Sequence, residues 1–226
     1  QNKLSLINFE NNELETLKNE KNEKEQKYYE LSKKLSAIRK SVAKNLEVTI
    51  HEQLEDLNMS NAKFRFKFEF LEQDVVNSKG IDDVEFMMTT NVGEDFKPLA
   101  KIASGGEISR IMLALKVVFS TVDNISVLIF DEIDTGISGE TVKRVADKLK
   151  ELSGKVQVIC VTHSPQIAGK ARQQFFIKKE VENNVTETKV RELTQEERIK
   201  EVARIISGDK ITEASITHAK EIMGLL

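Results

Sequence analysis

Two unbroken apolar runs constrain this chain more than anything else in it. Val127-Leu128-Ile129-Phe130 and Val158-Ile159-Cys160-Val161, the latter closing the stretch from Val156 to Val161, are too short for helices and show no polar alternation. Between them, from about Gly139 to Leu152, the spacing is helical. Unbroken apolar strands separated by helices predict a parallel sheet covered on both faces. Open sheets of that kind bind ligands at the carboxyl ends of their strands. Here the first run ends in Asp131-Glu132 and the second in Thr162-His163.

Those residues have chemistry suited to the position. An Asp at a strand end suits Mg²⁺, a hard cation that takes oxygen ligands and keeps several waters. An adjacent carboxylate, Glu132, is placed to orient an attacking water as a general base. Helix capping or turn formation accounts for such acid pairs equally well when they stand alone. A histidine delivered to the same edge can donate a hydrogen bond to a terminal phosphate. A lone histidine at a strand end is more often structural.

A third constellation, Ala103-Ser104-Gly105-Gly106-Glu107, opens a helix expected to run to about Val122. Two glycines let the backbone approach an anion closely, and the free N–H groups of a helix start supply donors and a positive dipole end. Ser104 adds a hydroxyl donor. A capping box, with Ser104 as cap and Glu107 three residues on, explains the same residues without any phosphate. The order carries more than any member: a Ser-Gly-Gly-Glu helix start, then a strand ending Asp-Glu, then a strand ending in His.

The remainder of the chain divides by period. From about Asn11 to Leu57 there is no Gly or Pro, and Glu, Lys, Leu and Gln dominate, which predicts one long helix. Leu14, Leu17, Tyr28, Leu31, Leu35, Ile38 and Val42 share one heptad phase, with Lys21 and Lys24 in two of its slots. After Val42 the step becomes a repeated four (Leu46, Ile50, Leu54), which unwinds a left-handed supercoil. The pattern reads as a coiled-coil arm loosening as it enters a globular body, against the alternative of an amphipathic helix packed on that body. Phe64, Phe66, Phe68 and Phe70 then alternate with charged residues, and Val84, Phe86 and Met88 repeat the pattern. They predict an antiparallel pair with one face buried, joined through the Asn77 to Asp83 region. A strand near Gln174 to Lys179 and another near Thr186 to Glu192, linked by Glu182-Asn183-Asn184, predict a hairpin. Helices from about Gln195 to Ile206 and Thr212 to Met223 close the chain.

Composition excludes some classes. Among 226 residues no run reaches the roughly eighteen apolar residues of a transmembrane helix, so no membrane partner is expected. Gln1-Asn2-Lys3 opens no secretory signal, and a start on Gln1 suggests a piece of a longer protein. The single cysteine, Cys160, forms no internal disulfide and reads as a strand residue in a reducing cytosol. A net charge of −3 neither argues for nor excludes nucleic acid.

Together the three motifs resemble the signature motif, Walker B motif and switch histidine of ATP-binding-cassette ATPases. More narrowly, Ile102 to Lys116, Phe130 to Gly139 and Val161 to Ala168 resemble the RecN family of bacterial DNA-repair proteins, relatives of the SMC proteins. Asp134-Thr135-Gly136-Ile137-Ser138-Gly139 is the most discriminating piece, and the tail from Glu201 to Met223 also looks like that family's end.

The resemblance implies an α/β fold: the C-terminal part of a P-loop ABC/SMC-type ATPase head, with an N-terminal coiled-coil helix and a small antiparallel β element. Residues 1–57 would be the arm and 58–226 the C-terminal lobe of the head. Asp131 would hold Mg²⁺, Glu132 would polarise the attacking water and His163 would touch the γ-phosphate of ATP. Ser104, Gly105, Gly106 and Glu107 would belong to the motif that binds ATP held by a second head, and Asp134 to the loop crossing that interface. The implied partners are DNA, the chain's own N-terminal half and a second head joined through ATP. The implied setting is the cytoplasm, at the nucleoid, and the implied role is recombinational repair of DNA double-strand breaks. Two alternatives stay open: an SMC-type structural tether, and a binding module without catalysis. A phosphate-binding P-loop, G-x-x-x-x-G-K-[ST], is missing. At Gly169-Lys170, Ser164 and Ala171 occupy its other two fixed places, and at Gly154-Lys155, Leu149 and Val156 do. The resemblance puts that loop in the N-terminal half, so this stretch alone is expected to be inactive.

Overall fold

A computed structural model describes the backbone of residues 2–70, 76–102, 105–120, 122–182 and 185–226. The chain divides into two compact units, one of residues 1–49 with 63–100, the other of residues 50–62 with 101–226. The antiparallel strands thus group with the long helix in the first of these units. No helix among the described residues is long and apolar enough to cross a membrane.

In the first unit, helix α1 (Asn2–Asp56) begins well before the expected Asn11. Two of its faces do different things. Ser32, Ser36 and Ala43 are buried, and the small side chains on this face let the sheet approach. Ser36 Oγ donates to Asp82 Oδ1 at 2.7 Å, and Arg39 Nη1 donates to Oδ2 at 3.3 Å. The Phe66 amide donates to Glu47 Oε1 at 2.7 Å, and the Asn77 amide to the Tyr28 hydroxyl at 3.1 Å. The heptad residues Leu14, Leu17, Leu31, Leu35, Ile38 and Val42 all stay exposed. Apart from Tyr28, which is partly buried, the seam that dominates the sequence pattern is therefore left exposed.

Strands β1 (Lys63–Phe70) and β2 (Asp82–Thr89) pair antiparallel from Lys63↔Thr89 to Phe70↔Asp82, as the alternation predicts. A third strand, β3 (Lys97–Pro98), adds to β2 and is too short to carry a periodic signal. Phe64, Phe66 and Phe86 meet edge to face, with ring centroids 5.1 to 5.7 Å apart. The expectation that four phenylalanines share a buried face needs correction. Phe64 is buried, Phe66 and Phe68 only partly, and Phe70 is 60% exposed. Lys40 Nζ lies over the Phe68 ring, 5.7 Å from its centroid.

The second unit contains α2 (Gly105–Phe119), β4 (Val127–Phe130), α3 (Glu140–Leu152), β5 (Gln157–Cys160), α4 (Pro165–Lys170), β6 (Phe175–Glu182), β7 (Val185–Glu192), α5 (Gln195–Ser207) and α6 (Glu213–Met223). β4 and β5 run parallel in the register Val127↔Gln157 to Phe130↔Cys160, joined by α3. The amphipathic α3 buries Val142, Val145, Ala146, Leu149 and Leu152. Lys148 of α3 bonds Gln53 at 2.6 Å and Asp56 at 2.8 Å, tying α3 to the last turns of α1. Ile50, Leu54 and Leu57 there are fully buried.

The expectation of a sheet covered on both faces is also corrected. Phe130 is buried, but Val127, Ile129, Ile159 and Val161 are exposed, Ile129 to 70%. Among the described residues, one face of β4–β5 is covered and the other is exposed.

β6 and β7 form the expected hairpin; Asn183 and Asn184, its expected turn, lie outside the described residues. Thr194 and Thr212 cap α5 and α6 with reciprocal capping boxes. Ala168, Val202, Ala203 and Ala219 form the core of this end. Gly169 permits the approach, since a Cβ there would stand 2.7 Å from Ile222 Cγ2. Helix α4 was not expected: Pro165 opens it at the first helical position, where a missing N–H costs nothing.

Candidate active site

The parallel register sets the site. The Val161 amide donates to the Phe130 carbonyl at 2.9 Å, so β4 and β5 end abreast. Asp131-Glu132 and Thr162-His163 therefore leave the sheet at one edge, as the two apolar runs predict. Asp131 and Glu132 are exposed, while Ile133 and Asp134 are buried. Glu132 adopts φ +54°, a left-handed conformation that non-glycine residues rarely take. A turn closes around it, with the Thr135 amide donating to the Glu132 carbonyl at 3.0 Å. Backbone strain of this kind costs about 1–3 kcal/mol and persists only where the surroundings fix it.

The start of α2 supplies part of that fixing. Ser109 Oγ donates to the Asp131 carbonyl at 2.9 Å, and Arg110 Nη1 donates to the Thr135 carbonyl at 2.9 Å. Gly106 stands so close to the turn that a Cβ would meet Thr135 O at 2.9 Å. A Cβ on Gly105 would lie 3.5 Å from Glu132 Oε2, so the glycine pair and the general-base candidate are neighbours. Glu107 is partly buried. Ser104, and with it the possible capping box, lies outside the described residues. Burial lowers the Arg110 pKa, and the nearby Glu107 charge opposes that shift; its Nε is buried without a partner among the described residues. Sequence reasoning missed Arg110, although a lone arginine in the apolar run Ile108 to Phe119 was the available signal.

On the other side of the turn, Asp134 reaches β5's end. Its Oδ2 accepts from Thr162 Oγ1 at 2.6 Å and from the His163 amide at 3.1 Å, and lies 3.4 Å from His163 Nδ1. The Asp134 side chain is 2% exposed and the His163 side chain 82%. Thr162, also missed in the sequence, in turn accepts from the Ser164 amide at 3.0 Å. Cys160 lies beneath: burial, then the Asp134 and Asp131 charges, pushes its thiol up to about 12.

Among the described residues no group of three or more His, Cys, Asp or Glu side chains could cage a metal ion. The donor set at this edge is a single exposed carboxylate, Asp131, beside Glu132. That fits a hard cation held mostly by water and phosphate oxygens, and does not fit a metal held by protein ligands alone.

The fold and this edge define a fragment of an SMC-type α/β head. A solved Smc head domain with a coiled coil and joint from Pyrococcus yayanosii superposes with a TM-score of 0.51 at 25% identity, covering 79% of this chain and 32% of that one. The chain belongs to the RecN family of SMC-like proteins: the RecF/RecN/SMC N terminal domain matches residues 3–187. It is 47% identical over 194 residues to the DNA repair protein RecN of Halalkalibacterium halodurans, covering 84% of this chain and 34% of that protein. Against RecN of Bacillus subtilis the identity is 40% over 202 residues, covering 84% and 35%. Against RecN of Vibrio cholerae it is 37% over 223 residues, covering 98% and 40%. The chain thus spans 34% to 40% of the length of these relatives.

Proposed function

We propose that this chain is the C-terminal half of a RecN-like ATPase acting in recombinational repair of DNA double-strand breaks. The observation that carries the reading is the convergence of Asp131, Glu132 and His163 at one edge of two parallel strands, with the Gly105-Gly106 helix start against the same turn. In this reading Asp131 holds Mg²⁺, which supplies charge neutralisation for the transferring phosphoryl group. Glu132, exposed at its strained turn, orients and deprotonates the attacking water. His163 presents its imidazole to the γ-phosphate. Ser104, Gly105, Gly106 and Glu107 offer a helix start to ATP held by a second head, so turnover requires a head–head homodimer. Asp134's loop lies beside that interface through its exposed residues Thr135, Gly136 and Ser138.

The phosphate cradle comes from the N-terminal half. The exposed apolar face of β4–β5 supports this, because Ile129 and Val161 need cover that the described residues do not provide. The exposed heptad seam of α1 likewise suits a returning arm helix. DNA is the partner on which the ATP-controlled dimer acts, in the cytoplasm at the nucleoid. The test is Glu132→Gln in the full-length protein. It should retain ATP binding, accumulate an ATP-bound dimer on size exclusion, and lose turnover by about a hundredfold or more. Wild-type turnover in that variant would remove Glu132 from the reaction.

A further inference from the structure

Asp134 stands three residues beyond Asp131 yet faces its own chain. Burying a carboxylate is costly unless donors meet its charge. Among the described residues, the three polar atoms that approach it all belong to one short segment, the Thr162 hydroxyl, the His163 amide and the His163 ring. All three fall on Oδ2, while Oδ1 is buried without a hydrogen-bond partner among the described residues. The carboxylate concentrates on the residue that carries the exposed imidazole.

We infer that Asp134 is a positioning residue for His163. It fixes the backbone at the end of β5 and turns the Nδ1 edge of the ring toward its own chain, which leaves the Nε2 edge facing away from the carboxylate. The inference rests on the ATPase reading above. It also means that the turn presenting Glu132 sets the position of His163, because Asp134 is part of that turn. Thr162 shares the role, since its hydroxyl links Asp134 to the Ser164 amide at the start of α4.

The test is a double-mutant cycle in the full-length protein, read as kcat and KM for ATP. His163→Ala should lower kcat by about a hundredfold, as loss of one donor to a developing charge does. Asp134→Asn keeps the shape of the side chain and should fold, which its melting temperature will verify. It should lower kcat by about tenfold to a hundredfold through misplacement of the imidazole, with KM changed by less than about twofold. In the His163→Ala background it should lower kcat no further, because residues acting as a unit are non-additive. Should Asp134→Asn not fold, Thr162→Val removes a hydroxyl from the same carboxylate and enters the same cycle. Unchanged kcat in the single variant, an equal loss with and without His163, or a loss confined to KM overturns the positioning role alone. Absence of turnover in the wild type, or full turnover in His163→Ala, overturns the ATPase reading and this inference together.

Discussion

Adding one methyl group to either glycine at the start of α2 separates what that helix start does for the fold from what it does for a ligand. A Cβ at position 106 would stand 2.9 Å from the Thr135 carbonyl oxygen and 3.3 Å from Thr135 Cβ. The backbone of the turn must move by several tenths of an ångström to admit it. Overpacking of that kind costs about 1–3 kcal/mol. If the turn moves far enough to break the Arg110–Thr135 bond, loss of a charge-assisted hydrogen bond costs about 1.5–3 kcal/mol. Alanine's better helix propensity returns up to about 1 kcal/mol. The net expectation is a destabilisation of about 2 kcal/mol, which for a chain of this size lowers Tm by about 4–8 °C. At position 105 the nearest atom to a Cβ is Glu132 Oε2 at 3.5 Å, the far end of an exposed side chain. Gly105→Ala should therefore melt within about 2 °C of the wild type. The assay is far-UV circular dichroism melting of both variants in one buffer, paired with ATP turnover of the same substitutions in the full-length protein. Gly106→Ala should lose both stability and turnover, and Gly105→Ala turnover alone. A wild-type melt for Gly106→Ala, or equal losses at both positions, would refute the packing argument.

The purified 226-residue chain alone should show no measurable ATP turnover, since it contains no P-loop; phosphate release above the no-protein control would sink the division of labour between the two halves. Cys160 should be nearly inert while the chain is folded. Its thiol, pushed up to about 12, loses a proton only as pH climbs toward that value. At about pH 8 its thiolate fraction lies about a thousandfold below that of an unfolded cysteine near 8.5, and labelling by an aromatic disulfide should slow by that factor. Equal rates in native buffer and in denaturant would overturn the burial argument.

How much of this was legible in the sequence depended on whether the signal was local. Val127–Phe130 was legible to the residue, because an unbroken apolar run was bounded by Ser126 and Asp131. The starts of α5 and α6 were close to legible because Thr194 and Thr212 form their caps with side chains three residues on. Helix α4, opened by Pro165, is too short to carry a periodic signal of its own. In α1 the heptad leucines gave the stronger periodic signal, yet the face against the sheet is made of Ser32, Ser36 and Ala43, which register as polar or neutral. The cover over β4–β5 was misjudged for another reason: hydrophobicity reports that a face must be buried, not that the same stretch of chain buries it. For the candidate site, Asp131, Glu132 and His163 could be placed at one edge because strand ends are local facts and parallel strands share a direction. The Asp134–Thr162 bond could not, since its partners lie 28 residues apart and neither belongs to a periodic pattern.

The turn from Asp131 to Thr135 explains why these motifs work as one object. Its two ends are held from α2, by Ser109 at the Asp131 carbonyl and by Arg110 at the Thr135 carbonyl. Its middle is held from within, by fully buried Ile133, and from β5, by the bonds that Asp134 accepts. Glu132 sits between these restraints in a conformation that costs about 1–3 kcal/mol, so it stays there only while they hold. A shift of the start of α2 must pull on both carbonyls at once, and the turn cannot answer by sliding, because Ile133 and Asp134 fix it at depth. The displacement is left to the torsions at Glu132. The helix start that would meet a second head and the carboxylate that would act on this head's own nucleotide are thus joined through two hydrogen bonds and one strained residue.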